Sequence, residues 1–439
     1  MSFQTGLSGL NASSRNLDVI GNNIANANTT GMKSSRTEFS SLVASSIGSG
    51  SSSGAGIGVN AAVISQQFTQ GNITTTGNSL DVAINGSGFF QLTQPDGSMA
   101  YTRDGSFKLD KDGNIVTNSG ANVMGYPTDA TGKPTSATIQ ALSLPTGAPI
   151  AASATTTITA EFNLDARIQD NTTLAAAGNT TNPRSTFGTS LNVYDKEGVA
   201  SPVNLYFEKA PASPTPNSWN VYGGLDTAAI AGPPAVAAVT YPVIATMTFD
   251  ASGKITSVTP TAPATAPATG IGVTIAAGTI ASLNPNETTG KIATPITLDL
   301  STTTQFGTAF AVSNLAQNGY TAGELTGVNI GNNGVITAKY SNGQTQSAGQ
   351  VTLADFRNVQ GLSAIGNNAW AATYASGDPV GGSPGAGKFG ALQSGALEDS
   401  NVDLTSELVN MMTAQRAYQA NAQTIKTQDQ IMSTLVNLR

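Results

Sequence analysis

Apolar residues near the start of the chain fall at Phe3, Leu7, Leu10, Leu17, Ile20 and Ile24. That is the three-and-four spacing of a narrow helical stripe. Ser14 and Gly21 fill other positions of the seam, and the segment also holds Gly6, Gly9 and six asparagines from Asn11 to Asn28. Each glycine costs about 1 kcal/mol against alanine in a helix interior, and asparagine competes for backbone hydrogen bonds. The pattern predicts a helix within residues 1–31 that is loose alone and forms when packed.

The other end carries a stronger signal. Met411, Tyr418, Ile425 and Met432 recur every seven residues, with Leu404, Leu408, Leu435 and Leu438 beside them. Ser400-Asn401-Val402-Asp403 reads as a capping box. Asp399, Asp403 and Glu407 lie toward the positive end of the helix dipole, and Lys426 and Arg439 toward the negative end. A helix from about Asn401 to Leu438 would run roughly 57 Å at 1.5 Å per residue. A thin stripe on so long a helix needs a partner. The N-terminal stripe is the candidate, and the pair is expected to form a coiled coil.

Between the ends the apolar period becomes two. Leu80, Val82 and Ile84 alternate, Asn85-Gly86-Ser87-Gly88 turns the chain, and Phe89-Phe90-Gln91-Leu92 follows. Asp96-Gly97, Asp104-Gly105 and Asp112-Gly113 come at a constant spacing of eight, with apolar residues between them. Asp-Gly flanked by alternating apolar residues is a hairpin signal, so an antiparallel meander is expected. Lys196-Glu197-Gly198, Ser252-Gly253-Lys254, Asn332-Asn333-Gly334 and Asn342-Gly343 mark further turns. Ser45–Gly58 and Gly377–Gly390 read as flexible connections, and Pro211–Pro216, Ala228–Val239 and Pro260–Ala268 as surface loops.

The fold class expected is mainly β with long α-helical termini, nested antiparallel β-domains being inserted between paired end helices. The expected division is an N-terminal helix in 1–31, a connector in 32–71, and an inner β-domain from 72–144 and 302–360. An outer β-domain is inserted at 145–301. A second connector at 361–397 leads to the C-terminal helix in 398–439.

Composition narrows the chemistry. The 439 residues include no His and no Cys, which removes imidazole acid/base catalysis, thiol nucleophiles, disulfides and the usual zinc ligand sets. Charged residues are 10% and the net charge is −7, a poor match to nucleic acid, which needs clustered Lys and Arg. No basic n-region followed by an apolar run opens the chain, so no cleavable signal is expected. The apolar stretch between Asp226 and Asp250 is broken by Pro233, Pro234 and Pro242, so no membrane insertion is expected.

Three candidate sites have plainer readings. Gly56-Ile57-Gly58-Val59-Asn60-Ala61 matches a dinucleotide fingerprint, but a Ser/Gly stretch precedes it and the first acid downstream is Asp81, so it reads as linker. Asp110-Lys111-Asp112-Gly113-Asn114 has its glycine at the fourth position of a calcium loop rather than the sixth, and Ala121 at the twelfth; it reads as a hairpin turn. Glu398, Asp399, Asp403 and Glu407 read as helix-start capping and solvated carboxylates rather than an acid/base pair. The chain is expected to be no enzyme and to take no cofactor or metal.

Two long motifs carry a resemblance. Ser8-Gly9-Leu10, Leu17-Asp18-Val19 and the run from Gly21-Asn22-Asn23-Ile24-Ala25-Asn26 to Asn28-Thr29-Thr30-Gly31-Met32-Lys33 resemble the start of the bacterial flagellar rod/hook axial family. Asn401-Val402-Asp403-Leu404 and Met411-Met412-Thr413-Ala414-Gln415-Arg416-Ala417-Tyr418-Gln419-Ala420-Asn421 resemble its C-terminal motif. Ser79–Phe90 and Tyr340-Ser341-Asn342-Gly343-Gln344 agree, and Met32 stands where the family commonly has Phe. The long middle and the segment 34–68 are similar to the hook branch.

The resemblance implies an extracellular flagellar subunit, exported without a cleaved signal, that self-assembles into a curved tube passing motor torque from rod to filament. It implies a homopolymer, with the distal rod, hook–filament junction protein, hook cap and type III export apparatus as partners. A distal rod subunit and, in another class, a secreted β-rich adhesin are the alternatives; a hydrolase using carboxylates alone is a third. The assembly interface is expected on the two stripes, from Phe3 to Ile24 and from Leu404 to Leu438.

Overall fold

A computed structural model describes residues 2–43, 56–147, 149–176, 187–211, 217–224, 243–277 and 292–437. Three α-helices lie among the described residues: α1 (Ser2–Ala25), the short α2 (Asn171–Ala176) and α3 (Leu404–Asn437). The stripes at the two ends are helical and the rest is mainly strand, as the switch in apolar period predicts. α3 starts three residues later than expected. Asp403 caps it, its carboxylate accepting from the Thr405 amide at 2.9 Å and from Ser406 Oγ at 2.9 Å. Ser400 is no part of that cap; its hydroxyl accepts from the Val402 amide.

The chain divides into two units, one formed by Met1–Gly147, Thr326–Lys339 and Thr345–Arg439, the other by Ala148–Leu325 and Tyr340–Gln344. The insert therefore runs past the expected 301/302 boundary. Ala311–Gln317 pairs with Thr157–Asp165 and holds those residues in the second unit.

In the first unit, β1 (Ser35–Val43) and β2 (Gly56–Gln66) form an antiparallel ribbon inside the segment expected as a connector. Residues 44–55, most of the expected Ser45–Gly58 link, lie outside the described residues. The Asp96-Gly97 turn joins Phe89–Thr93 to Met99–Thr102, and the Asp112-Gly113 turn joins Lys108–Leu109 to Ile115–Val116, both as hairpins. The middle Asp-Gly pair is no hairpin, which corrects the meander. A Cβ on Gly105 would stand 1.7 Å from the Val82 carbonyl oxygen, so the chain passes under that strand. Met99–Thr102 pairs on its far side with Ala369–Ala371. Val380–Gly382, within the expected flexible stretch 377–390, pairs with Leu353–Asp355. Phe68, Phe89, Tyr101, Phe356 and Trp370 form an edge-to-face aromatic cluster under this sheet.

The second unit is a two-sheet sandwich. One sheet is a meander of Phe187–Tyr194, Ala200–Lys209, Ser218–Gly224, Val243–Phe249 and Ile255–Pro260 in chain order. The other is built on Thr157–Asp165, flanked by Ile296–Asp299, Thr304–Phe306 and Ala311–Gln317. Alternation puts Ile158, Ala160, Phe162 and Leu164 from one sheet against Val203, Leu205, Phe207 and Trp219 from the other. Of the expected loops Pro211–Pro216 and Ala228–Val239, residues 212–216 and 228–239 lie outside the described residues.

The turns are fastened by aspartates. Asp129 and Asp250 each accept from backbone amides two and four residues on and from the Thr131 or Ser252 hydroxyl. Asp96 accepts from the Ser98 amide and hydroxyl, and Asp110 from the Asp112 and Asn114 amides and the Asn114 side chain. Hydrogen bonds from Ser98, Asn114, Thr131 and Ser252 hold these four carboxyls below their ordinary range, and Arg167 pulls Asp165 down to about 2. A depressed folded-state value means stability that is complete above the unfolded value of about 4 and lost as pH falls through the folded one. The thermal midpoint is therefore expected to stay level down to about pH 4 and to fall between there and about pH 2. A midpoint that rose on acidification in a calorimeter would contradict this.

Candidate assembly interface

α1 and α3 lie side by side and antiparallel. Gly6 faces Ile425, Gly9 faces Asn421, and Asn23 Nδ2 donates to Glu407 Oε1 at 3.1 Å, so α3 numbering falls as α1 numbering rises. The glycines that weaken α1 as a sequence make this approach possible. A Cβ on Gly6 would come within 3.1 Å of Ile425 Cγ1, and one on Gly9 within 2.8 Å of the Asn421 amide nitrogen. Ala12, Val19, Ile20, Asn23 and Ala414 are buried.

The stripe residues divide into two groups. Ile20 is buried; Leu10, Leu17, Ile24, Met411 and Ile425 are half-buried. Leu7, Leu404, Leu408, Tyr418 and Met432 are open to solvent, Leu408 at 51% and Met432 at 56%. The side chains of Phe3 and Leu435, and Leu438 altogether, lie outside the described residues. Sequence reasoning missed Val409, Met412 and Ile431, which are also exposed on α3. They fall off the heptad seam, and only a helix with more than one unburied face displays them. A helix of this kind is incomplete by itself.

The ribbon adds to the exposed apolar surface with Phe39, Val63 and Ile64. Its inner side is fixed to α1: the Val59 amide donates to Ser8 Oγ at 3.3 Å, and a Cβ on Gly58 would overlap that hydroxyl at 2.2 Å. Gly56–Ala61 is therefore strand, set by close packing. At the base, Trp370 Nε1 donates to Gln66 Oε1 at 2.5 Å and ties β2 to the aromatic cluster.

Behind the helices lies a buried junction. Lys33 Nζ donates to Glu398 Oε1 at 2.5 Å and to the Thr69 carbonyl at 2.7 Å. Arg103 Nη1 donates to Glu398 Oε2 at 3.1 Å and stacks over the Phe89 ring at 5.3 Å. Side-chain exposure is 0% for Lys33 and Glu398 and 6% for Arg103. Burial pushes the Lys33 ammonium and the Arg103 guanidinium below their ordinary values, against the pull of Glu398. Glu398 is thus no solvated helix-start carboxylate, which corrects that expectation for one of the four acids. Asp403 caps, Asp399 accepts from Thr74 Oγ1, and Glu407 accepts from Asn23. Asp110 spends its carboxylate on its own turn, accepting from the Asn114 amide and side chain.

Asn401 completes the junction. Its Oδ1 accepts from the Ser34 amide at 2.7 Å, and its Nδ2 donates to the carbonyls of Gln67 and Thr69. Lys33, Asn23 and Asn401 belong to the motifs that carry the resemblance. Their geometry shows what they do within one chain: they bind the two arms to each other.

Two end helices around an inserted β region define a class, the axial subunits of the bacterial flagellum, and family models agree along the chain. Residues 3–33 match "Flagella basal body rod protein" and 83–166 match "Flagellar hook protein FlgE/F/G D1 domain". Residues 163–320 match "Flagellar basal body protein FlaE D2 domain", and 393–438 match "Flagellar basal body rod FlgEFG protein C-terminal". Over the full length of both chains the protein is 41% identical to the flagellar hook proteins FlgE of Salmonella typhimurium and of Escherichia coli. It is 34% identical to that of Treponema pallidum, over all of this chain and 99% of the relative. The chain belongs to the flagellar hook protein FlgE family. In fold it is similar to the crystal structure of the Helicobacter pylori hook protein FlgE2, with a TM-score of 0.51, 14% identity, and coverage of 74% of this chain and all of that one.

Proposed function

We propose that this chain is the repeating subunit of the flagellar hook, a curved tube that carries motor torque from rod to filament. The observation that carries the assembly reading is α3. Leu404, Leu408, Val409, Met412, Tyr418, Ile431 and Met432 stand open on one helix. Sister copies cover these side chains through head-to-tail contacts that do not close, which gives a tube rather than a ring. The stripe residues from Phe3 to Ile24 and from Leu404 to Leu438 are the inner assembly surface, with the end helices wound as a coiled coil. The half-buried members hold the intramolecular pair and the open ones meet neighbours.

The tube resists twisting where apolar seams are closed on all sides. It yields in bending because only 10% of residues are charged, and little ion-pair energy opposes sliding between outer surfaces. The role is structural and not enzymatic. The distal rod, hook–filament junction protein and hook cap are its neighbours at the flagellum, and the flagellar type III apparatus exports it without a cleaved signal. Hook proteins matching over their full length favour this reading over a distal rod subunit or an adhesin.

Negative-stain microscopy of concentrated purified protein tests it. Curved tubes are the expected result. Straight tubes would favour the rod reading, and a protein that stays monomeric at high concentration would overturn the assembly reading.

A further inference from the structure

We propose that the residues just before α3 form a clasp that closes both chain ends at once, with Glu398 as the single anion shared by Lys33 and Arg103. The contact joins residues 365 apart in sequence. Glu398 also accepts from the Gly71 amide at 2.9 Å through Oε1, and its backbone carbonyl accepts from the Gly31 amide at 2.8 Å. Four distant segments thus converge on one carboxylate: the turn after α1, the chain after β2, the strand end at Arg103, and the approach to α3. The fit is close, for a Cβ on Gly71 would stand 2.0 Å from the Asp399 carbonyl oxygen.

A buried ion cluster is a poor source of stability, because desolvation offsets most of the attraction, but it is intolerant of a missing member. An apolar plug would hold the same segments in several registers; two cations on one carboxylate hold one. Arg103 sharpens the condition: its buried Nε has no hydrogen-bond partner among the described residues, and its guanidinium donates to Glu398, lies over the Phe89 face and is further drawn by the charge of Asp355. In a chain made from its N-terminus, Lys33 and Arg103 come long before Glu398. Until residue 398 arrives they lack the carboxylate that they share, so the base of the ribbon stays open. The clasp thereby makes closure of the segments 31–35 and 67–72 conditional on the residues just before α3. It is a property of the single molecule and stands or falls apart from the assembly reading.

Amide hydrogen exchange on the full-length monomer tests it, comparing the parent with Glu398→Gln. Exchange is expected to rise about tenfold to hundredfold at residues 31–35 and 67–72, the effect of losing hydrogen bonds to a charged group. The strands Phe89–Thr93 and Ala200–Lys209 should keep their protection. Unchanged exchange at 31–35 and 67–72 would overturn the clasp. So would a uniform rise through Phe89–Thr93, which would make Glu398 an ordinary core residue. If Glu398→Gln is not recovered folded, Lys33→Met is read in the same segments with the same two overturning results. Where both fold, the double variant should be no looser than Glu398→Gln alone, and additive effects would show two independent contacts and overturn it.

Discussion

Leu408→Asp is expected to stop polymerisation at concentrations where the parent chain forms tubes, while the monomer unfolds at the parent temperature. Leu408 is 51% exposed on α3 and Met412, four residues on, is 54% exposed. A surface change of this kind moves monomer stability by about 0.5 kcal/mol or less. On the proposed assembly the same position is covered by a neighbouring copy, and an unpaired carboxylate in an apolar seam costs several kcal/mol (about 3 or more by analogy with broken buried pairs). That cost recurs at every subunit added, so a modest local penalty becomes loss of the tube. Sedimentation and microscopy at matched concentrations check it. Tubes of normal length from the variant would remove Leu408 from the interface. An equal substitution at exposed Ile365, far from α3 in sequence, serves as the comparison.

Trp219→Ala is expected to lower the stability of the second unit by about 3–5 kcal/mol, the cost of truncating a large buried aromatic. Trp219 is fully buried at the centre of the sandwich and its Nε1 donates to Gln305 Oε1 at 3.2 Å. Losing the ring opens a cavity beside Phe187, and the Gln305 oxygen loses its donor. The chain has two tryptophans, one in each unit. Trp370 lies in the aromatic cluster of the first unit, so the fluorescence of the variant reports that unit alone. Its denaturant midpoint should match the parent's, while circular dichroism shows the second unit melting early. A midpoint at Trp370 that fell by the same amount would mean that the two units unfold as one.

Much of the fold is legible in the chain. The switch from a spacing of three and four to a spacing of two marks where helix gives way to strand, and Asp96-Gly97 and Asp112-Gly113 mark true hairpins. Asp104-Gly105 has the same letters and spacing but serves as a crossing, because Gly105 is there for close approach under Val82 rather than for a turn. Residues 35–66 fall inside the expected connector 32–71, although Ile57, Val59, Ala61 and Val63 alternate, because the Ser/Gly stretch before them reads as a link. The ribbon stands only by leaning on α1 through Ser8 and on Trp370 through Gln66.

The interface was half legible. The heptad of Met411, Tyr418, Ile425 and Met432 announces a seam, but a seam has no sign for inside or outside. Ile425 meets Gly6 within the chain and Met432 is exposed. The junction was legible only in part: Lys33 and Asn401 stand in the two long motifs, but nothing in them points to their partners. Nothing in the spacing of Lys33, Arg103 and Glu398 indicates that they share one buried site.

The chain alone determined the two end helices, the β character of most of the middle and the Asp96-Gly97 and Asp112-Gly113 turns, because those depend on neighbours a few residues away. It also excluded imidazole and thiol chemistry by containing neither His nor Cys. Only the tertiary structure decided which apolar faces are spent within the molecule and which remain open, and which carboxylate is buried. Those outcomes depend on contacts hundreds of residues apart, such as Lys33 with Glu398. Burial is a property of the space between elements, and no local pattern records it.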